Sequence, residues 1–283
     1  MAGRVTCVGG TVIDRKLHLY EPPKAGTSNP ARMVVVDGGV ARNVAETLAR
    51  LGVDAALVSR VGDDEPGRAI LANLTAVGVD TSGVAAVPGG HTAEYIAVLA
   101  GPSLVLGVAA MDVLDEIGSE DLDRGWPQDD TAAWVLLDCN LPEPVLGRAV
   151  ARARADGVRL AVDVVSVPKV VRLPADLAGI SVLFCNAHEA RALLAYHGAD
   201  SHGHGPELAT RLQAAGAAGV VVTGPRRAWR WPTPPAAGRC RPSRQRRSTR
   251  PGRATRWWPA RSPRCWPGSR WPRRSPRAPW WRR

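Results

Sequence analysis

The sequence predicts an α/β fold, a doubly wound and mostly parallel sheet flanked by helices, over residues 1–223 of a 283-residue chain. Three observations predict it. Strand-like and helix-like segments alternate, the pattern of a parallel sheet with helices on both faces. The strand-like segments are apolar on successive residues, as strands buried on both faces are. The composition then breaks. Residues 1–223 hold all 26 Asp and Glu but 18 of the 37 Lys and Arg, a net charge of −8. Residues 224–283 hold 19 Arg, no Lys and no acid, a charge of +19. The overall +11 would point to an anionic partner such as nucleic acid, but it averages two unlike pieces.

Taken in order, the strand candidates are Val5–Val8, Ala55–Val58, Ala133–Leu137, Leu160–Val165, Ser181–Phe184 and Gly219–Thr223. Between them, Val44, Leu48 and Leu51 make one helical stripe, and Ile70, Leu74 and Val77 another. Further helices are expected at Glu143–Ala155, Ala187–Tyr196 and Glu207–Ala215. Segments Leu17–Asp37 and Thr92–Val108 break the rhythm and read as extra strands and loops, a flap over one end of the sheet. In such sheets a ligand sits beyond the carboxyl ends of the strands, so the residues just after each strand carry the interest.

Other classes are excluded. No apolar run approaches the roughly 18 residues that span a bilayer, and the N-terminus enters a strand-like segment without a signal-peptide pattern. Five cysteines, Cys7, Cys139, Cys185, Cys240 and Cys265, lie far apart without a C-x-x-C pair, which fits a reducing cytoplasm. There is no phosphate-cradling G-x-x-x-x-G-K-[ST] loop and no G-x-S-x-G elbow.

Several short motifs could carry chemistry. Asp14 follows the first strand through Gly9-Gly10-Thr11-Val12-Ile13; a carboxylate there suits a vicinal diol, though from spacing alone a capping or turn Asp is the preferred reading. In Asp37-Gly38-Gly39-Val40-Ala41-Arg42-Asn43, the two glycines allow close backbone approach ahead of a helix, and Asn43 can donate and accept; a tight turn with a cap is the plainer alternative. Val61-Gly62-Asp63-Asp64-Glu65-Pro66-Gly67 reads alone as a turn and a Pro-started helix. Asp163 ends a strand. Asn186 and Glu189 share one helical face and could hold a hydrated Mg²⁺, or form a capping box, the reading preferred without context. His202 and His204 in a Gly-rich stretch read as a solvated loop rather than a metal site.

The order of these motifs resembles the ribokinase-like (PfkB) family of sugar and nucleoside kinases: Gly9 to Asp14, Gly38-Gly39 with Asn43, Val61-Gly62-x-Asp64-x-x-Gly67, then Asn186-x-x-Glu189. Ser28-Asn29-Pro30, Asp138-Cys139-Asn140 and Asp163-x-Val165-Ser166 with Lys169 resemble the pseudouridine kinases within it. The resemblance implies a small β lid, here about 17–37 and 92–108, that could join two copies as a homodimer. It implies ATP and Mg²⁺ as cofactors and a sugar or nucleoside as substrate. Asp14, Gly38, Gly39 and Asn43 would bind the sugar hydroxyls, Asn186 and Glu189 would organise Mg²⁺, and Thr223 and Gly224 would lie along the ATP. Val12 stands where the family often has an Asn facing the sugar.

The family's catalytic Gly-Ala-Gly-Asp turn, which supplies an anion hole and a base, is absent from these 283 residues. The tail at 224–283 has 8 of the 10 Trp and 12 of the 24 Pro, and no Val, Leu, Ile, Met or Phe, so a disordered segment is expected there. It reads as a gene translated out of frame. With G at each free third position, Arg227–Thr233 shifted to the third base encodes Gly-Val-Ala-Val-Ala-Asp, and Ser248–Thr255 encodes Asp-Ala-Ala-Gly-Ala-Gly-Asp. The missing motif therefore lies in the other frame, and the polypeptide as written is expected to lack kinase turnover. Loss of the last strands should also leave apolar surface open near Val220–Thr223. The alternatives are a ribokinase- or fructokinase-like sugar kinase and, in another class, a non-catalytic protein whose arginine-rich tail binds nucleic acid. The latter is disfavoured, because binding explains neither the missing Lys nor the missing aliphatics.

Overall fold

Strands buried on both faces form the backbone of the molecule. A computed structural model describes residues 3–127 and 133–224. The chain order is β1 (Val5–Val8), β2 (Val12–Leu19), β3 (Ala31–Gly38), α1 (Val40–Arg50), β4 (Ala55–Gly62), α2 (Glu65–Ala76), β5 (Asp80–Val87), β6 (Ala93–Ala100) and β7 (Ser103–Ala110). There follow α3 (Asp112–Asp115), α4 (Ser119–Gly125), β8 (Trp134–Asp138), α5 (Glu143–Asp156), β9 (Arg159–Asp163), a 3₁₀ turn (Val167–Arg172), β10 (Ile180–Asn186), α6 (Ala187–Tyr196), α7 (Gly205–Ala214) and β11 (Val220–Thr223). Seven strands make one sheet in the order β11-β10-β9-β8-β1-β4-β5, and every pairing in it is parallel. The doubly wound fold expected from the alternation is the one observed.

Apolar side chains fill both faces. Leu57, Leu74, Ala41 and Ala45 pack with Cys7 in one cluster, and Leu137, Leu146, Leu160 and Leu183 belong to a larger one. Cys7, Cys139 and Cys185 are buried free thiols; burial, with Asp138 nearby, pushes Cys7 up to about 12, and burial likewise pushes Cys185 up to about 12. Such thiols are packing groups, not nucleophiles. No described helix is long and apolar enough to cross a membrane.

The lid is larger than its sequence signal. Four strands pair in the order β3-β2-β6-β7, with β2–β6 parallel and the outer two pairings antiparallel. Its strands begin at Val12 and Ala93, earlier than 17 for the first segment, so Asp14 is a strand residue rather than part of a connecting loop. Strand β5 was not expected: Thr81-Ser82-Gly83 hides its apolar pattern, yet it pairs with β4. Strand β9 stops at Asp163 rather than Val165, because Asp163 Oδ1 accepts the Val165 N–H at 2.8 Å and Val165 turns to φ 68°.

The apolar surface expected near Val220–Thr223 is a further correction. Val220 and Val221 are 2% and 6% exposed, with Val220 in the same apolar cluster as Leu208 and Leu212 of α7. What remains open at β11 is its backbone edge, since among the described residues it pairs only with β10. The tail reading for 224–283, and Cys240 and Cys265 within it, lie outside the described residues except for Gly224.

Candidate active site

The chain leaves β1 toward β4 on one side and returns to β8 on the other, so the strand order reverses between β1 and β8. Ligands of doubly wound sheets occupy the crevice beyond the carboxyl ends at such a point. Here those ends carry Gly9-Gly10 and Asp138-Cys139-Asn140.

Asp138 is fully buried and holds this junction together. Its Oδ2 accepts the Gly10 N–H at 3.0 Å and the Ala41 N–H at 2.9 Å, and its Oδ1 accepts the Asn140 N–H at 3.0 Å. Burial pushes its pKa up, while the amide N–H groups of Ala41, Gly10 and Asn140 pull it back. Helix α1 has Gly39 at its N-cap and no side-chain cap of its own; Asp138 caps it from across the sheet. The glycines are required by this closure. Gly39 has φ 97°, and a Cβ there would lie 2.1 Å from the Gly10 carbonyl oxygen. A Cβ on Gly38 would lie 2.6 Å from the Asp14 carboxylate.

Asp14, Gly39 and Asn43 line one cleft of about 610 Å³, together with Tyr95, Asn140 and Lys169. The lid supplies one wall: Asp14 on β2 is opposite Tyr95 on β6, and Tyr95 is opposite Ala109 on β7. Burial pushes the Asp14 pKa up, opposed by the charge of Lys16. Asn43 is exposed at the mouth, its Oδ1 accepting from Arg42 Nη1 at 3.0 Å. Arg42 is itself buried against Asp37 and Glu46. Gly38 does not line the cleft but packs beneath Asp14.

The remaining predicted residues lie apart from this group. Asn186 and Thr223 are register partners on β10 and β11, two and three strands from β8. Asn186 Oδ1 accepts the His188 and Glu189 N–H groups, and Glu189 Oε2 accepts the Asn186 N–H at 2.7 Å. The pair is the capping box of α6, as the plainer sequence reading held. Thr223 and Gly224 are exposed. None of these four lines the cleft. His202 is exposed and pairs with Asp200, and no group of three or more His, Cys, Asp or Glu able to hold a metal occurs among the described residues.

Two further assignments come from the structure alone. Asp64 caps α2 through Gly67 N–H and also accepts the Thr92 N–H at 2.8 Å and hydroxyl at 2.6 Å, so the Gly62–Gly67 motif anchors the root of β6. Burial acts to raise its pKa, but these hydrogen bonds outweigh it and hold the carboxyl below its usual value. Asp163 lies between Asp138 and Phe184 in the strand register. Burial, reinforced by Asp138 and Glu189, pushes it up to about 6 against the pull of the Val165 N–H. The sequence marks Asp138 and Asn140 through the Asp138-Cys139-Asn140 resemblance but gives them no role; nothing local marks Tyr95.

Comparison with known proteins follows the same outline. The model of the family described as pfkB family carbohydrate kinase matches residues 2–231. The chain belongs to that family. Within it, the chain is 31% identical over 190 residues to the pseudouridine kinase of Escherichia coli K12, covering 67% of this chain and 60% of that protein. It is 34% identical over 193 residues to an ATP-dependent ribose-1-phosphate kinase of Halopiger xanaduensis, covering 68% and 64%. The chain thus spans less than two thirds of either pfkB relative. A carbohydrate kinase structure from Agrobacterium tumefaciens superposes with a TM-score of 0.64 at 29% identity, over 78% of this chain and 70% of that one.

Proposed function

We propose that this chain is the substrate-binding part of an ATP-dependent kinase acting on a hydroxyl of a nucleoside, best fitted by pseudouridine, and that as written it does not turn over. The observation that carries the reading is the meeting of Asp14, Gly39 and Asn43 in one cleft at the point where the strand order reverses. The Asp14 carboxylate can accept two neighbouring hydroxyls at once. The capped N-terminus of α1 presents Gly39 and Asn43 beside it. The raised Asp14 pKa means that diol binding weakens as the pH falls through it.

ATP would run along Thr223 and Gly224. The donor set at Asn186 and Glu189 does not build a resident metal site, because three of its hydrogen bonds are spent on the helix cap. It fits a hydrated Mg²⁺ that arrives on the nucleotide, which keeps its waters and needs few protein oxygens. Positioning, charge neutralisation and a base at the attacking hydroxyl are what phosphoryl transfer requires. The last two belong to the Gly-Ala-Gly-Asp turn, which the gene behind residues 224–283 would encode only in the shifted frame. The open edge of β11 is where the remaining strands would add. The outer lid face, with Met33, Val35, Leu104 and Leu106 about half exposed, suits a homodimer, and the location is cytoplasmic.

The test is phosphoryl transfer from labelled ATP with Mg²⁺ to pseudouridine, run on this chain and on one whose residues after 226 follow the shifted frame, alongside DNA sequencing of codons 220–260. Turnover by the restored chain alone is expected. Ordinary kinase rates from the chain as written, or a clean single reading frame without the hidden motif, would overturn the proposal.

A further inference from the structure

Arg42 and Asn43 stand side by side in the first turn of α1, and of the two only Asn43 lines the cleft. Arg42 is 6% exposed. Its Nη2 donates to Asp37 Oδ2 at 3.3 Å, and its Nη1 pairs with Glu46 Oε2 at 2.5 Å and donates to Asn43 Oδ1 at 3.0 Å. Both carboxylates are held in turn. Asp37 Oδ2 also accepts from Asn73 Nδ2 of α2 at 3.1 Å, and Glu46 Oε1 accepts from Arg50 at 2.6 and 2.8 Å. The Arg42 main-chain N–H donates to the Gly10 carbonyl at 3.3 Å, which ties this turn to the Gly9-Gly10 junction. Arg42 Nε has no partner among the described residues, so the two Nη ends set the plane of the guanidinium.

Burying a guanidinium is costly, and Arg50 already pairs with Glu46 from a position that is 60% exposed. What the buried Arg42 adds is a grip on Asp37 and on the Asn43 amide. A guanidinium has five donors and no acceptor, so the Asn43 atom facing it must be the oxygen. The flipped amide would set N–H against N–H. A bond from a charged donor is also stronger than a neutral one. Asn43 Nδ2 is left as the open end of the amide, with no partner among the described residues. Asp14, on the same cleft, only accepts when ionised. A hydroxyl suits both groups, because it donates and accepts. A carbonyl oxygen cannot donate to Asp14, and an ammonium cannot accept from Asn43.

We infer that Arg42 is a positioning residue that holds the Asn43 amide oxygen inward and so presents Asn43 to the sugar as a hydrogen-bond donor. This rests on the reading of the cleft as a site for sugar hydroxyls and adds what fixes the polarity of that site.

A double-mutant cycle tests it. Ribose and pseudouridine, which share the pentose, are titrated calorimetrically into the full chain, Arg42→Lys, Asn43→Ala and the double variant, each checked by thermal melt. Lysine keeps a charge between Asp37 and Glu46 but lacks the fork that also reaches Asn43. Arg42→Lys should weaken binding about five- to tenfold in the parent, the worth of one hydrogen bond. In the Asn43→Ala background the same change should cost less than about twofold. Equal losses in the two backgrounds would make Arg42 a scaffold residue and overturn the inference, as would no loss in the parent. A second readout needs no variant. ¹⁵N relaxation of the Asn43 side-chain amide in the unliganded chain should give an order parameter near about 0.85, and a value below about 0.6 overturns the lock. If Arg42→Lys does not fold, that order parameter decides alone. Binding of ribose without pseudouridine overturns the nucleoside reading and leaves the cycle to decide on Arg42. Binding of neither overturns the sugar site and this inference with it.

Discussion

Removing the Asp138 carboxylate should loosen the candidate site and the fold together. In Asp138→Ala three buried N–H groups, those of Gly10, Ala41 and Asn140, lose their acceptor. Each orphaned donor costs about 1–3 kcal/mol. Against this stands relief from burying a charge, the leading influence on the raised pKa of this group. The net loss is taken as about 4 kcal/mol. Asp138→Asn keeps one oxygen, which can still serve Gly10 and Ala41, and turns an amide donor toward the Asn140 N–H; its loss is about 2 kcal/mol. At about 2–4 °C per kcal/mol for a chain of this size, the melting temperature falls by roughly 4–8 °C for Asn and 8–16 °C for Ala. Circular dichroism melts give the order. Hydrogen exchange at Gly10 and Ala41, measured well below the melt, reports the local cap. A Tm for Asp138→Ala within about 2 °C of the parent, with both amides equally protected, would refute the assignment.

Three other substitutions have defined outcomes. Asp163→Asn should stabilise at pH 8: a folded pKa of about 6 against an ordinary 3.8 means the folded state holds the extra proton between these values. Stability contributed by wild-type Asp163 is thus present below pH 4 and lost as the pH rises through 6; denaturant melts should show a gain of up to about 3 kcal/mol at pH 8 and none at pH 3.5. Asp64→Ala removes a helix cap and the Thr92 anchor, costing about 1–2 kcal/mol at pH 7. Because its pKa is lowered, that difference should shrink as the pH drops below 4, with faster exchange of the Thr92 amide at neutral pH. Gly39→Ala forces a Cβ toward the Gly10 carbonyl at positive φ, so it should destabilise by more than about 1 kcal/mol and weaken pseudouridine binding in calorimetry.

What was legible in the sequence follows the physics of burial. Ala55–Val58 and Trp134–Leu137 are apolar on successive residues because both faces of their strands are covered, and that pattern needs no partner to be read. Strand β5 escaped because Thr81, Ser82 and Gly83 carry no such run; its pairing with β4 makes it a strand. The Asn186–Glu189 pair was readable as a cap because a capping box is local. The role of Asp138 was not, since the N–H donors it accepts from, on Gly10 and Ala41, lie 128 and 97 residues away. Tyr95 enters the cleft only through the β2–β6 register, which no short motif encodes.

The most direct test of the cleft as a nucleoside site is calorimetric titration of pseudouridine into the full chain and into its Asp14→Asn variant. Saturable binding with one site is expected in the parent, weakened roughly 10–100-fold in Asp14→Asn, the effect of losing hydrogen bonds to a charged acceptor. Equal affinity in the two proteins, or no binding to the parent, would contradict the assignment of Asp14 and of the cleft.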